Sequence, residues 1–414
     1  MNNIDFVLSV AHRLAPEIND AKKLRSLPIS KKIIHADRFT WISLPDWAED
    51  LVPKNKKGLF VPSQEGVSNW QSYNWWMGAA LMINSSVERL HESINGPIHS
   101  NSSILNPKLM PAFDYAWTNR IILFLRRWWS HINNVPEEKA FSPVPPAVVH
   151  LTHDVDAVKK TFAIRVKQSI FSLYNKKLKE AMKFLLSKGD YWQFDKITML
   201  ENRYGFKSFW MFYGANGGFF RSLKEHIFDP AYNVSEPRIK KQISKLAKSG
   251  NKIGLHPRFD SWHDANKMIL EKKNIEDLLG QKISIVRQHW LRFSFQKTWK
   301  AQKKAGLLQD YTLGFNDRPG FRNSTALTFT EPESGMKVTP LLLMDSHLFD
   351  YLNKNRLERY KIIDSILDEL VLTGGEGSVI WHQRVFHSDY GWDDEYEYLL
   401  KGMKKRRILT PSID

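Results

Sequence analysis

Downstream of residue 146, short β-prone apolar runs alternate with longer stretches whose apolar residues recur at helical spacing. The runs cover 147–152, 207–213, 252–255, 284–287, 310–314, 337–343 and 378–381. Each ends in a polar cluster: His153-Asp154-Val155-Asp156, Gly214-Ala215-Asn216-Gly217, His256-Pro257-Arg258-Phe259-Asp260, Gln288-His289-Trp290-Leu291-Arg292, Asn316-Asp317-Arg318, Asp345-Ser346-His347 and His382-Gln383-Arg384. Helical character lies between them, at 238–248, 264–279 and 357–372. Seven strands in this alternation predict a parallel βα architecture. Polar clusters at the carboxyl ends of such strands are where a βα barrel gathers its chemistry.

Residues 1–140 lack that rhythm. Within them Trp117, Ile121, Phe124, Leu125 and Trp128 fall at i, i+4, i+7, i+8 and i+11, with Arg126 on the opposite side, which predicts an amphipathic helix. Such a helix either packs into the core of an N-terminal unit or lies on a membrane surface. Pro143, Pro145 and Pro146 remove backbone donors and favour an extended linker, so a domain boundary is expected there. The expected division is an accessory, mainly helical, tryptophan-rich region at 1–142 and a βα unit at 147–410.

Composition narrows the classes. Of 414 residues, 42% are hydrophobic and 25% charged, which excludes collagen-like, mucin-like and largely disordered chains. There is no cysteine, so disulfides, thiolate zinc sites, iron–sulfur clusters and a cysteine nucleophile are excluded, and any metal must be held by His, Asp or Glu. Residues 1–20 lack the basic-then-apolar layout of a secretory signal and no window is a membrane span, so a cytoplasmic location is expected. The net charge of +16 is spread along the chain. This fits phosphate-bearing small molecules or peripheral contact with an anionic inner-membrane surface, and nucleic acid is not an expected partner.

Four clusters offer chemistry. Asp154 and Asp156, two apart at a strand end, project side by side while His153 points elsewhere. The pair suits a compensating metal or arginine, or else caps a turn. In a helical turn after the next strand, His256 and Asp260 share one face at i, i+4 and can grip a cation. Arg287 and His289 share a face if their strand continues, and Arg287 can orient a carboxylate by paired hydrogen bonds. His382, at the last strand end, suits general acid work.

Together, the stretches 151–156, 254–261, 287–293 and 380–382 resemble, in order and spacing across roughly residues 147–400, the NodB-homology domain of polysaccharide deacetylases, carbohydrate esterase family four. With the tryptophan-rich N-terminal region and Gly96-Pro97-Ile98-His99-Ser100, they look like a subgroup found with bacterial surface-polysaccharide (O-antigen or capsule) biosynthesis genes. The resemblance implies an incomplete seven-stranded (β/α) barrel and a hydrolase that removes an N-acyl group, N-acetyl above all, from a sugar. It implies a divalent metal, with zinc the expected ion. Asp154 becomes the catalytic base, Arg287 its support, His382 the acid, and Asp156 and His256 metal ligands. The family's second histidine, four residues after the first, is replaced here by Asp260, which is expected as third ligand, with His263 or His289 as substitutes. Arg258, His289, Trp290 and Arg292 are expected to contact substrate, a nucleotide-linked or lipid-linked saccharide. The Asp260 departure also leaves open a degenerate sugar-binding protein, and residue type alone does not separate deacylation from deformylation or acyl transfer.

Overall fold

The computed structural model describes residues 2–412 except 68, 161, 175–177, 188, 216–224, 226–227 and 230–231. Asn216 and Gly217 of the second strand-end cluster therefore lie outside the described residues.

Eleven strands are described: β1 (Phe39–Ile42), β2 (Leu59–Pro62), β3 (Val148–Val155), β4 (Phe209–Phe212), β5 (Lys252–Leu255), β6 (Ile285–Val286), β7 (Gln309–Asp310), β8 (Phe329–Thr330), β9 (Lys337–Val338), β10 (Leu341–Met344) and β11 (Glu376–Ile380). β1 and β2 pair antiparallel in the N-terminal region, and the other nine form one sheet in the order β10-β11-β3-β4-β5-β6-β7-β9-β8. All its pairings are parallel except β8 with β9. β3, β4 and β10 are buried along their whole length, and β4 and β10 read as continuous apolar runs.

The sheet curls into an incomplete barrel. β10 begins the strand order and β9 is next to last at its far side, yet only Thr339 and Pro340 separate them in the chain. Three residue steps span at most about 11 Å, so the two ends of the sheet must come together. A bond from the Leu341 N–H to the Leu313 carbonyl, 2.8 Å, spans the gap. The run at 337–343 is thus two strands rather than one, because Pro340 carries no N–H for a continuous ladder. The run at 310–314 pairs only at Gln309–Asp310, and the short antiparallel β8 has no counterpart among the expected strands. Gly254 in β5 is closely packed: a Cβ there would lie 2.5 Å from Met211 Sδ and 3.0 Å from the Ile285 carbonyl oxygen.

The Trp117–Ile132 helix forms where the spacing places it, but it is enclosed rather than amphipathic at a surface. Two of its arginines are buried as well as its apolar stripe: Arg126 donates to the Leu14 and Ser142 carbonyls, each at 2.6 Å, and Arg120 pairs with Glu369 of the Arg356–Thr373 helix. The membrane-surface reading of this helix is therefore corrected. Rings of Trp47, Trp70, Trp75 and Trp128 surround Phe124 on the same helix, so these tryptophans are core.

The apolar core runs without a break from this region into the barrel. Buried polar contacts bolt them together: Glu88 to Arg322, Glu92 to Ser294 and Phe295 N–H, and Ser100 Oγ to the Leu291 carbonyl at 2.6 Å. Glu369→Ala would leave the Arg120 guanidinium buried without its carboxylate. Unfolding in urea is expected to show a loss of about 3–5 kcal/mol, and a loss below about 1 kcal/mol would mean that the pair does little to hold the two regions together.

Candidate active site

β3 positions the first pair of groups. Strand alternation sends His153 outward, between the Trp381 carbonyl (2.7 Å) and Glu201 (2.8 Å), while Asp154 and Asp156 turn toward the mouth of the barrel. Arg287, fully buried just after β6, donates to Asp154 Oδ1 (2.9 Å), Thr152 Oγ1 (2.6 Å) and the Tyr311 carbonyl (3.0 Å), so its fork is fixed by β3 and the end of β7. Arg384, two residues past His382, donates to Asp156 Oδ2.

Burial alone would raise both carboxyls. Arg287, His256 and His382 override it at Asp154 and hold that group below its ordinary value, and Arg384 and His382 hold Asp156 well below it. Both carboxylates are therefore charged. Burial also pulls His382 down, but Asp345 and Asp156 outweigh it and raise the imidazole to about 9. Asp345, buried at the end of β10, accepts from His382 Nδ1 at 2.9 Å and from the His382 backbone N–H at 2.6 Å, which aims Nε2 at Asp156 Oδ2, 3.5 Å away.

Three ligand-type atoms converge beside these groups. Oδ1 of Asp156 lies 3.3 Å from His256 Nε2 and 3.7 Å from His289 Nε2, and all three atoms fall within 4.8 Å of one another. Oδ1 is buried without a hydrogen-bond partner. His256 Nδ1 faces the Arg287 carbonyl at 2.8 Å, an acceptor only, so Nδ1 carries the hydrogen in the neutral ring and the Nε2 lone pair points into the cluster. Asp229 Oδ1 stands 3.6 Å behind His289 Nδ1, a carboxylate placed to back that imidazole although outside hydrogen-bond distance. Tetrahedral bonds of about 2.0–2.2 Å set neighbouring donors about 3.4 Å apart. The spacings around Oδ1 fit a small divalent cation, which Asp156, His256 and His289 would hold.

Asp260 is not brought into this group. The expected helical turn does not form, because the chain from 256 to 260 is held by contacts that pull it out along the barrel rim. The His256 N–H continues the ladder to the Phe212 carbonyl (2.7 Å), the Arg258 N–H donates to Glu271 (2.9 Å) and the Phe259 N–H to Asp229 (2.7 Å). Asp260 then faces Arg292 at 4.0 Å and, with Asp229, Arg258 and Phe259, lines a depression of about 190 Å³. His263 is exposed on a short turn beside Trp262 and is also outside the cluster.

The four residues expected at the substrate have different settings. His289 joins the cluster. Trp290 is 45% exposed at the mouth, with a left-handed φ of 57° that turns the chain after β6. Arg292 lies over the Phe259 ring (4.1 Å) near Trp262, with His99 of the N-terminal region 3.3 Å from its Nη2. Arg258 turns to Glu225 (3.2 Å) and Glu271 (3.8 Å), so its charge is answered within the protein.

Asp229, Asp345, Arg384 and His99 were not among the residues expected here. Asp345 and Arg384 sit in strand-end clusters visible in the sequence, whereas Asp229 follows no periodic signal and only folding carries His99 to the barrel rim.

No family model and no curated protein matches this chain. Solved structures do. A protein described as a polysaccharide deacetylase from Mycobacterium smegmatis aligns at 13% identity and a TM-score of 0.40, over 64% of this chain and 86% of that one. The polysaccharide deacetylase Bc1974 from Bacillus cereus aligns at 12% and 0.33, over 64% and 90%, and the peptidoglycan deacetylase PdaC from Bacillus subtilis at 11% and 0.33, over 65% and 90%. The fold class stands on the strand order and closure described above.

Metal uptake by variants separates the candidate ligands. Asp156→Ala and His289→Ala are expected to lose most zinc binding, Asp229→Ala to weaken it about 10–100-fold, and Asp260→Ala to bind as the parent does. Elemental analysis after equilibrium dialysis reads this directly. Loss of metal in Asp260→Ala with retention in His289→Ala would reverse the ligand assignment.

Proposed function

We propose that this protein is a divalent-metal-dependent hydrolase that removes an N-acyl group, N-acetyl first among them, from a sugar used in bacterial surface-polysaccharide assembly. The reading is carried by one arrangement: a donor set of Asp156, His256 and His289, with the Arg287-held Asp154 on one side and the Asp345-held His382 on the other. A zinc-class cation bound by those donors would supply Lewis acidity toward an acyl carbonyl oxygen.

The remaining steps belong to the chain's own groups. Arg287 occupies Asp154 Oδ1, which leaves Oδ2, 3.9 Å from His256 Nε2, facing the cluster to take a proton from an attacking water. His382, charged and fixed at Nδ1 by Asp345, presents Nε2 to hand a proton to the departing sugar amine. Trp290 and Arg292 stand at the mouth to seat the sugar, and His99 makes the N-terminal region part of that rim. The net charge of +16 favours a saccharide carrying phosphate, whether nucleotide-linked or lipid-linked.

Asp260 was the feature that permitted a degenerate sugar-binding protein. With His289 in the third position the donor set has no gap, which favours the hydrolase. Metal-loaded protein is expected to release acetate from N-acetylated sugar phosphates and to stop when chelated. Asp154→Asn is expected to keep its metal and lose about 10²–10⁴ in kcat. A fully metal-loaded protein that binds sugars but releases no acyl group from any of them would sink the hydrolase.

A further inference from the structure

The segment between β3 and the Phe194–Tyr204 helix holds a helical hairpin, Phe162–Tyr174 and Leu178–Leu186. Its helices pack on each other at buried Ser169 and Ala181, with Ser169 Oγ donating to the Ala181 carbonyl at 2.9 Å. The outward face is apolar. Leu178, Met182, Leu185 and Leu186 fall at i, i+4, i+7 and i+8 and are all exposed, Leu178 and Leu186 by about two thirds. Ile170, Leu173 and Tyr174 extend the patch on the first helix, Tyr174 at 86% exposure. Lys179 and Lys183 are exposed beside the stripe. Residues 161–188 contain seven basic side chains and one acidic.

We propose that this hairpin docks the protein on an anionic lipid surface. Its apolar stripe would enter the acyl boundary while flanking lysines reach lipid phosphates. Charge selects this occupant: a second copy of the chain would bring two basic segments together, whereas anionic headgroups complement one. The hairpin is also fastened beside the site. Lys160, just before it, pairs with Asp389, Phe184 packs edge-on against Tyr390 (5.0 Å), and the Gln383 side chain donates to the Tyr191 carbonyl. These partners all lie on the loop that carries His382 and Arg384. A bilayer under the hairpin therefore lies next to the barrel mouth, and the matching substrate is a saccharide on a lipid carrier. That consequence rests on the proposed function, whereas the docking surface does not.

Flotation of the full chain tests the surface without turnover, using vesicles of phosphatidylcholine alone and of phosphatidylcholine mixed with phosphatidylglycerol. The parent is expected to float with the mixed vesicles, to be released by salt, and to leave the neutral ones largely unbound. Met182→Glu/Leu186→Glu, at two solvent-facing positions, is expected to bind about tenfold more weakly or less with unchanged circular dichroism and metal content. Lys179→Glu/Lys183→Glu serves as a second variant should the first misfold. Equal flotation of parent and folded variants overturns the proposal, as does no binding to mixed vesicles. A lipid-free dimer that the Met182→Glu/Leu186→Glu change dissociates overturns it too, since a second copy would then own the face.

Discussion

Two like charges, Asp154 and Asp156, sit two residues apart on one buried strand, and the barrel mouth is arranged to keep both of them ionised. A buried carboxylate reverts to its neutral form unless positive charge or hydrogen bonds replace the lost water. Here the compensation comes from separate strands: Arg287 after β6, His382 and Arg384 after β11, and His256 after β5. Only a sheet curled so that several carboxyl ends face one point can deliver them together. Compensation and chemistry are the same arrangement, since the groups that keep Asp156 charged also leave its Oδ1 facing two imidazole nitrogens.

The supports behind these groups are as specific as the groups themselves. Asp345 fixes the orientation of the His382 ring, the Arg287 carbonyl fixes His256, and Asp229 stands behind His289. Each support lies on a different element from the residue it orients, so small shifts between strands would misalign the donors. The contacts of the N-terminal region resist such shifts. Glu88 grips Arg322, Ser100 binds the Leu291 carbonyl and Asn316 binds the Ser100 carbonyl, which ties the loops after β6 and β7 to a common anchor.

The hairpin at 162–186 shows the opposite economy. It makes its own internal contacts and is joined to the barrel mainly at its base, leaving its apolar stripe outside the core. The Trp117–Ile132 helix, with a comparable apolar stripe and arginines, is enclosed because the Arg356–Thr373 helix and the chain around Leu14 and Ser142 supply acceptors for its guanidinium groups. Amphipathic spacing is common to both, and the neighbours decide which face meets water.

The sequence by itself determined most of the strands, the clusters at their ends and the pairing of Asp154 with Asp156, because periodicity and strand alternation are local properties of the chain. It also carried His256, Arg287, His289 and His382 in strand-end clusters that the fold brings together. It did not determine which of Asp260 and His289 stands nearest to Asp156. Residues four apart meet only if the backbone between them is helical, and Asp229, Glu271 and the β5 ladder hold that stretch open. Nor did it show that 337–343 breaks at Pro340 to let the sheet close, or that Asp229, Asp345, Arg384 and His99 come to the same place. Those outcomes depend on contacts between residues far apart in the chain, and such contacts exist only once the barrel has formed.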